Sequence, residues 1–346
     1  MKPAPGEFVF LSQEDVIRSG VLDMSRAIDR VERALSLLED GQCIDPPKSV
    51  LRWSEDPNME SVRGRVNFLS AYIGGDMDVL GMKWIGSFPA NRDKGIPRAT
   101  ALIVLNDPQT GLPIALIEGS IISAVRTGAI TGIAAKYLAR PDTSSIGIIG
   151  TGVQSRTQLL ALCAVLEDVR EVRVYNRTRE RADRFAAEMG PRTGKAITVV
   201  DSAEAAVRGL DLALVATTAH EPLMKGEWLS PGMLTVQFSG NECDFEVIRR
   251  AQKIVCDQWE TVKHRGITTP AVMHSQGLLD DGRIHADLGE IVNGKKSGRE
   301  SPDELIHFAA IGLGISDVAV GSMVYETAMK NGIGTRLSMW QSPLWV

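Results

Sequence analysis

The sequence predicts an α/β protein in which a Rossmann-type parallel-sheet domain is inserted into a discontinuous α+β domain. Three observations lead there. From residue 145 to residue 256, short apolar strands alternate with helical stretches, as in a parallel sheet covered on both faces. Ahead of that alternation, residues 46–119 read as short strands joined by tight turns, which implies antiparallel pairing. Beyond it, residues 315–330 read as a helix that the alternation does not absorb. The expected division is 1–128 with 313–346 for one domain and 129–312 for the other, and a length of 346 residues suits two domains.

The elements follow in order. Ser12 to Asp15 has the form of a capping box, and Gly20 closes the short helix it opens. A longer helix is expected from Asp23 to Asp40, because Met24, Ala27, Ile28, Val31, Leu35 and Leu38 recur on one face. Strands are expected at 65–73, 80–85, 100–105 and 112–117, the last two flanking a turn with Pro108 and Gly111. A helix at 120–139 is rich in Ala, Ile and Gly, holds only Arg126 and Lys136 as charges, and stops at Pro141. Further strands fall at 145–149, 171–175, 197–200, 211–216, 234–238 and 253–256, with helices up to 166, at 178–189 and around 203–208.

Composition narrows the function. Hydrophobic residues make up 44% and charged residues 23%, the balance of a globular chain with a sizeable core. A net charge of -5 with no basic run argues against a nucleic-acid partner. Cys43, Cys163, Cys243 and Cys256 are scattered, as reduced thiols of a cytoplasmic protein are. Neither they nor His220, His264, His274, His285 and His307 have metal-ligand spacing, so no metal is expected. No apolar run approaches the roughly 20 residues of a membrane span, and the N-terminus lacks the pattern of a signal peptide.

The motif with most chemical content is Gly150-Thr151-Gly152-Val153-Gln154-Ser155 between an apolar strand and a helix. Glycines there permit a tight turn and bring backbone N–H groups close to a pyrophosphate at the helix N-terminus. Ser155 replaces the third glycine of the usual fingerprint with another small residue. After the second strand, Asn176, Arg177 and Arg179 stand where an acidic residue would bind the ribose diol. A neutral Asn with two arginines favours NADP(H) over NAD(H); two solvated arginines at a helix start are the competing reading.

Two cations lie outside that domain. Lys83, on a strand, points opposite to Met82 and Trp84, and Arg126 sits in an apolar helix, where a charge is costly unless paired. Both suit a substrate carboxylate. The alternatives are a surface lysine and an interdomain salt bridge from Arg126 to Glu118 or another acid.

With these residues the chain resembles the ornithine cyclodeaminase/mu-crystallin family. The resemblance rests on residues 82–87, 105–118, Arg126-Thr127, 150–155 and 312–317. It implies that Lys83 and Arg126 bind the substrate carboxylate near the nicotinamide, that Lys48 replaces a carboxylate-binding arginine, and that the chain forms a homodimer through its N-terminal domain. The discontinuous domain is then the substrate-binding and dimerisation domain. The expected cofactor contacts are Thr127, Gly150, Thr151, Gly152, Val153, Gln154, Asn176, Arg177, Arg179, Thr217 and Gly312. Ornithine cyclodeaminases carry an Asp after a loop glycine, whereas this loop reads Gly240-Asn-Glu242-Cys-Asp244; Glu242 and Asp244 are candidates to replace it.

A closer likeness, at residues 47–52, 83–87, 285–290 and 298–300, is to the branch that makes 2,3-diaminopropionate. Such enzymes use NAD, so the likeness and the arginines after Asn176 point to different cofactors. The expected chemistry is hydride transfer between a nicotinamide and the α-carbon of N-(2-amino-2-carboxyethyl)-L-glutamate, then hydrolysis to 2,3-diaminopropionate and 2-oxoglutarate. Lys48, Arg52, Lys83 and Arg126 would hold its carboxylates, and Lys83 would also exchange protons near the imine. The alternatives are an imine reductase, an amino-acid dehydrogenase, an ornithine cyclodeaminase, and a crystallin-like protein that binds the dinucleotide without turnover.

Overall fold

The computed structural model describes residues 4–54, 63–219, 221–238 and 240–345; His220 and Ser239, which fall in stretches read above, lie outside them. The chain divides into two compact units, Met1–Arg126 with Leu313–Val346 and Thr127–Gly312.

The first unit contains β1 (Glu7–Leu11), α1 (Gln13–Arg18), α2 (Met24–Glu39), β2 (Cys43–Ile44), β3 (Ser49–Trp53), β4 (Gly64–Ile73), β5 (Val79–Ser87), β6 (Ala99–Asn106) and β7 (Pro113–Glu118). The helix α3 (Ser120–Leu138) starts in this unit and continues into the second. The expected capping box is present: Ser12 accepts from the Asp15 backbone, and Asp15 accepts from Ser12 N. Strands β4 to β7 pair antiparallel in sequence order. The sheet is nevertheless mixed, because β1 adds to β7 in parallel. The sequence reading missed β1, since five residues with Val9 and Leu11 buried make too short an alternation.

In the second unit, β8 (Ser145–Ile149), α4 (Val153–Val165), β9 (Glu171–Tyr175), α5 (Arg179–Thr193), β10 (Ile197–Val199), β11 (Leu212–Val215) and β12 (Leu234–Phe238) form the expected alternation. There follow α6 (Phe245–Arg250), β13 (Lys253–Cys256), α7 (Trp259–Arg265), α8 (Thr269–Ser275), β14 (Ala286–Asp287), α9 (Leu288–Val292) and β15 (Ile306–Ala310). The sheet is wholly parallel, in the order β10-β9-β8-β11-β12-β15-β13-β14. The chain then returns to the first unit as α10 (Gly314–Asn331) and β16 (Thr335–Ser338). There α10 packs on α2, β4 and β5, and β16 pairs with β1 at the sheet edge.

One expectation for the second unit needs correction, and one strand was not foreseen. Residues 203–208 form successive turns, not a helix, ending at Gly209 with φ +77°. The strand beside β12 is β15, so β13 stands one place further out. The unforeseen β15 is apolar except for His307, which is fully buried and shares a 2.9 Å hydrogen bond with Thr235. Burial pushes its pKa down to about 3, so it stays neutral in the sheet.

Gly147 in β8 shows how tightly the layers meet. A Cβ there would run into the Ala206 carbonyl, which is backbone and cannot yield cheaply. Gly147→Ala is therefore expected to cost about 3 kcal/mol through overpacking, measured as a lower midpoint in urea; an unchanged midpoint would show that the 203–208 turns give way.

Candidate functional site

The first unit buries a charge cluster. Lys83, on β5, is 1% exposed; its Nζ donates to Asp317 Oδ1 at 2.6 Å and to Ser123 Oγ at 3.1 Å. Arg126, near the middle of α3, donates through Nε to the same Asp317 oxygen at 3.0 Å. Asp317 is fully buried in the first turn of α10, where the positive helix end favours a carboxylate. Its own helix is fixed from elsewhere in the unit, since the Asp45 carboxylate accepts the Ile315 N–H at 3.1 Å. Burial pushes the Lys83 pKa down to about 7, helped by the charges of Arg126 and Lys48 and opposed by Asp317.

Two cations thus face one anion. Arg126 Nη1 and Asp317 Oδ2 have no hydrogen-bond partner among the described residues. Lys83 is buried, not a surface lysine. Arg126 forms an ion pair with Asp317 within its own unit, which replaces Glu118 as the partner. Asp317 was not among the sequence candidates, although an acid in the otherwise apolar Leu313–Val320 stretch is a signal that a buried cation awaits it. Lys48 is half-buried in the segment before β3, and Arg52 is exposed on that strand.

In the second unit, the Gly150 turn lies between β8 and β11, where the strand order reverses. Gly150 has φ +102°, and a Cβ on it would strike the Ala216 carbonyl after β11, so only glycine fits. Gly152 caps α4 without a side-chain bond, and nothing lies within 4 Å of where its Cβ would be. Val153 is 65% exposed, and Gln154 Oε1 is buried without a partner among the described residues. Arg156 stiffens the turn by donating to the Thr151 carbonyl at 2.8 Å and the Gly152 carbonyl at 3.1 Å. An uncapped helix end and open space over a glycine fit a dinucleotide pyrophosphate.

Other candidates already have structural partners. Arg179, though exposed, pairs with Asp183 at 3.2 Å and Asp201 at 2.5 Å, Asn176 donates to the Thr178 carbonyl, and Arg177 is also exposed. The Gly312 N–H donates to Asp257 at 2.7 Å, and Thr127 is buried. Asp244 departs from its expected catalytic place: it caps α6, its Oδ1 accepting the Gly226 and Val247 N–H groups at 3.0 Å each. Glu242 is fully buried, and its Oε1 accepts both the N–H and the hydroxyl of Thr217 at 2.6 Å. Burial pushes its pKa up to about 7 against those hydrogen bonds. The 285–290 and 298–300 stretches hold the fold: Asp287 and Glu290 box the start of α9, and Arg299 donates to the Leu138 carbonyl. Among the described residues no His, Cys, Asp and Glu group is arranged to hold a metal, and no helix is long and apolar enough to cross a membrane.

This fold, with a cofactor-type turn in one unit and a buried cation pair in the other, defines a class. The ornithine cyclodeaminase/mu-crystallin family matches residues 7–332, and the chain belongs to it. It is similar to Thermococcus litoralis Δ1-pyrroline-2-carboxylate reductase in complex with NADH and L-proline, with a TM-score of 0.88, 37% identity, and 95% of this chain and 99% of that one covered. An archaeal alanine dehydrogenase dimer with bound NAD matches with a TM-score of 0.88 and 35% identity, over 96% of this chain and 100% of that one. The N-((2S)-2-amino-2-carboxyethyl)-L-glutamate dehydrogenase of Staphylococcus aureus is 30% identical over 336 residues, 96% of this chain and 99% of that protein. The relatives are dehydrogenases and reductases of small amino-acid-derived molecules.

Two outcomes follow from the buried charges. Asp317→Asn leaves two buried cations facing each other and should cost about 3 kcal/mol, read by denaturant unfolding; a loss below the error of the measurement would mean that Lys83 is neutral in the folded state. Glu242 has a folded pKa above the unfolded 4.5, so native protein holds an extra proton between 4.5 and about 7, and stability falls as pH rises through that window. Glu242→Gln should thus stabilise the protein by about 2 kcal/mol above pH 7 and much less near pH 4.5. Melting curves at both pH values check this, and a pH-independent difference would count against it.

Proposed function

We propose that the chain is a nicotinamide-dependent oxidoreductase acting at the C–N bond of an amino-acid-derived amine or imine. The observation that carries this reading is the buried Lys83–Asp317–Arg126 cluster, with its excess positive charge and the unpartnered Arg126 Nη1. A buried cation with a free donor suits an anion, and the carboxylate of an amino acid supplies one with bidentate geometry. The substrates named for the relatives all place a carboxylate beside a C–N bond.

The Gly150 turn and the α4 N-terminus are the elements to hold the dinucleotide, which when bound supplies the hydride chemistry. NAD(H) is favoured, because two similar structures hold it and Arg179 is engaged by Asp183 and Asp201. Arg177 is the residue to read a 2′-phosphate, so NADP(H) is the competing cofactor. In the oxidative direction the carbon of the C–N bond gives up hydride and the nitrogen a proton, leaving an imine. Water adds, the C–N bond breaks, and a 2-oxo acid and an amine leave. Lys83 grips the carboxylate, and with a pKa of about 7 its Nζ can hold or release a proton at neutral pH. Glu242, a buried acid whose pKa of about 7 lets it hold or release a proton near neutral pH, is the candidate acid–base group of the second unit; Asp244 is not retained.

The finer reading is oxidation of N-(2-amino-2-carboxyethyl)-L-glutamate to 2,3-diaminopropionate and 2-oxoglutarate, supported by the Staphylococcus aureus relative and by the additional cations Lys48 and Arg52. A second reading, a substrate with one carboxylate, is supported by the single excess charge of the buried cluster and by the alanine and pyrroline-2-carboxylate enzymes. A homodimer is part of the proposal. On the sheet side away from α10, Met82, Val104, Leu116 and Phe10 form one cross-strand row and Trp84 pairs with Leu102, an apolar face with Trp84 45% exposed. A second copy covers it, as the alanine dehydrogenase dimer suggests.

Purified protein incubated with NAD or NADP and a panel of amino acids and N-carboxyalkyl amino acids, with reduced cofactor followed by absorbance, tests the activity. Lys83→Ala and Arg126→Ala should each lower kcat/KM by about a hundredfold. Cofactor binding without turnover in either direction would favour the crystallin-like alternative, and a lower KM for NADP than for NAD would reverse the cofactor assignment.

A further inference from the structure

Arg52 on β3 stands directly opposite Arg65 on β4. Like charges in that position, with Cβ atoms about 5 Å apart, repel and weaken a strand pair. Arg65 is also half-buried, and burial together with the Arg52 charge lowers its pKa, with no carboxylate among the described residues offsetting either effect. Two residues along β4, the Asn67 Oδ1 is buried and has no hydrogen-bond partner among the described residues. Among the described residues, then, two cations stand face to face beside an unsatisfied amide, an arrangement suited to an anion.

The register says where this group lies. Leu69 is opposite Lys83, and Arg65 and Asn67 are four and two residues before it on β4. Strand alternation therefore puts Arg52, Arg65, Asn67 and Lys83 on one side of the sheet. α10 begins over Ser70, whose carbonyl oxygen would lie 2.8 Å from a Cβ on Gly314, and then crosses β5 at Gly81 and β6 at Ile103. The Arg65 end of β4 extends beyond the start of that helix. Four residues of strand span about 13 Å, a gap that the long side chains of Arg65 and Lys83 narrow from both ends.

We propose that Arg52, Arg65 and Asn67 form a second anion subsite, which takes a further carboxylate of a substrate whose first carboxylate is held by Lys83 and Arg126. The substrate class is then an amine or imine with at least two acid groups. The two guanidiniums offer a fork to the carboxylate, and the Asn67 amide fixes its orientation through whichever end faces it. The bound anion turns the repulsion between the arginines into attraction, which gives the empty site its affinity. The proposal deepens the reading of Lys83 and Arg126 and rests on it.

The test uses full-length protein with saturating NADH and titrates pyruvate and 2-oxoglutarate by calorimetry. The expected result is that 2-oxoglutarate binds at least about tenfold tighter than pyruvate, and that Arg65→Ala and Arg52→Ala each remove most of that difference, with Arg65→Lys retaining part of it. Kinetics should agree, Arg65→Ala lowering kcat/KM for L-glutamate more than for L-alanine. Arg65→Ala removes like-charge repulsion, so its melting temperature should not fall; the exposed Arg52 provides the same test independently. The subsite is overturned if pyruvate binds as tightly as 2-oxoglutarate, or if the variants weaken both acids alike. Failure of both acids to bind would overturn the Lys83–Arg126 reading, and the subsite with it.

Discussion

Much of the first unit depends on one carboxylate oxygen. Asp317 Oδ1 accepts from Lys83 Nζ and from Arg126 Nε, and the Arg126 bond joins residues 191 apart in sequence. The chain leaves this unit after Arg126 and comes back at Leu313. The ion pair therefore ties together the outgoing and returning segments of one discontinuous fold. It can do so only because the partners are desolvated together: each charge alone would be intolerable in that interior, and the group of three is tolerable with one positive charge left over.

The second unit is organised by backbone approach more than by charge. Gly147 and Gly150 exist where carbonyls of the neighbouring chain come too close for any Cβ. Two polar links, Thr217 with Glu242 and Gly312 with Asp257, fix loop ends at the carboxyl side of the parallel strands. Such loops carry ligands in open α/β sheets because strand ends diverge there. Glu242 and Asp257 are thus part of how the strand ends are presented, and their burial explains why they hold backbone groups instead of facing water.

Within a family whose members are named for alanine, pyrroline-2-carboxylate and a larger amino triacid, the scaffold changes little and the substrate a great deal. The constant need is one carboxylate beside a C–N bond, met by groups that the fold must bury anyway. Further out on the same sheet side lie β3 and the first half of β4. Arg52 and Arg65 occupy that region.

The sequence by itself determined the alternation of strand and helix, the Gly150 turn, and Lys83 and Arg126 as cations in apolar surroundings. Each depends on residues near one another in the chain, where periodicity, capping and the cost of an unpaired charge apply directly. Only the tertiary structure decided that Asp317 is the counter-ion, that Asp244 caps a helix, that Arg179 is already paired, and that Arg52 meets Arg65. It also placed β15 between β12 and β13, and β1 beside β7. These facts hang on register and return of the chain, and a linear pattern carries no term for which distant strand or helix will stand opposite. A buried acid such as Asp317 announces that it needs a partner; which partner it meets is set by the packing of α10 on the sheet.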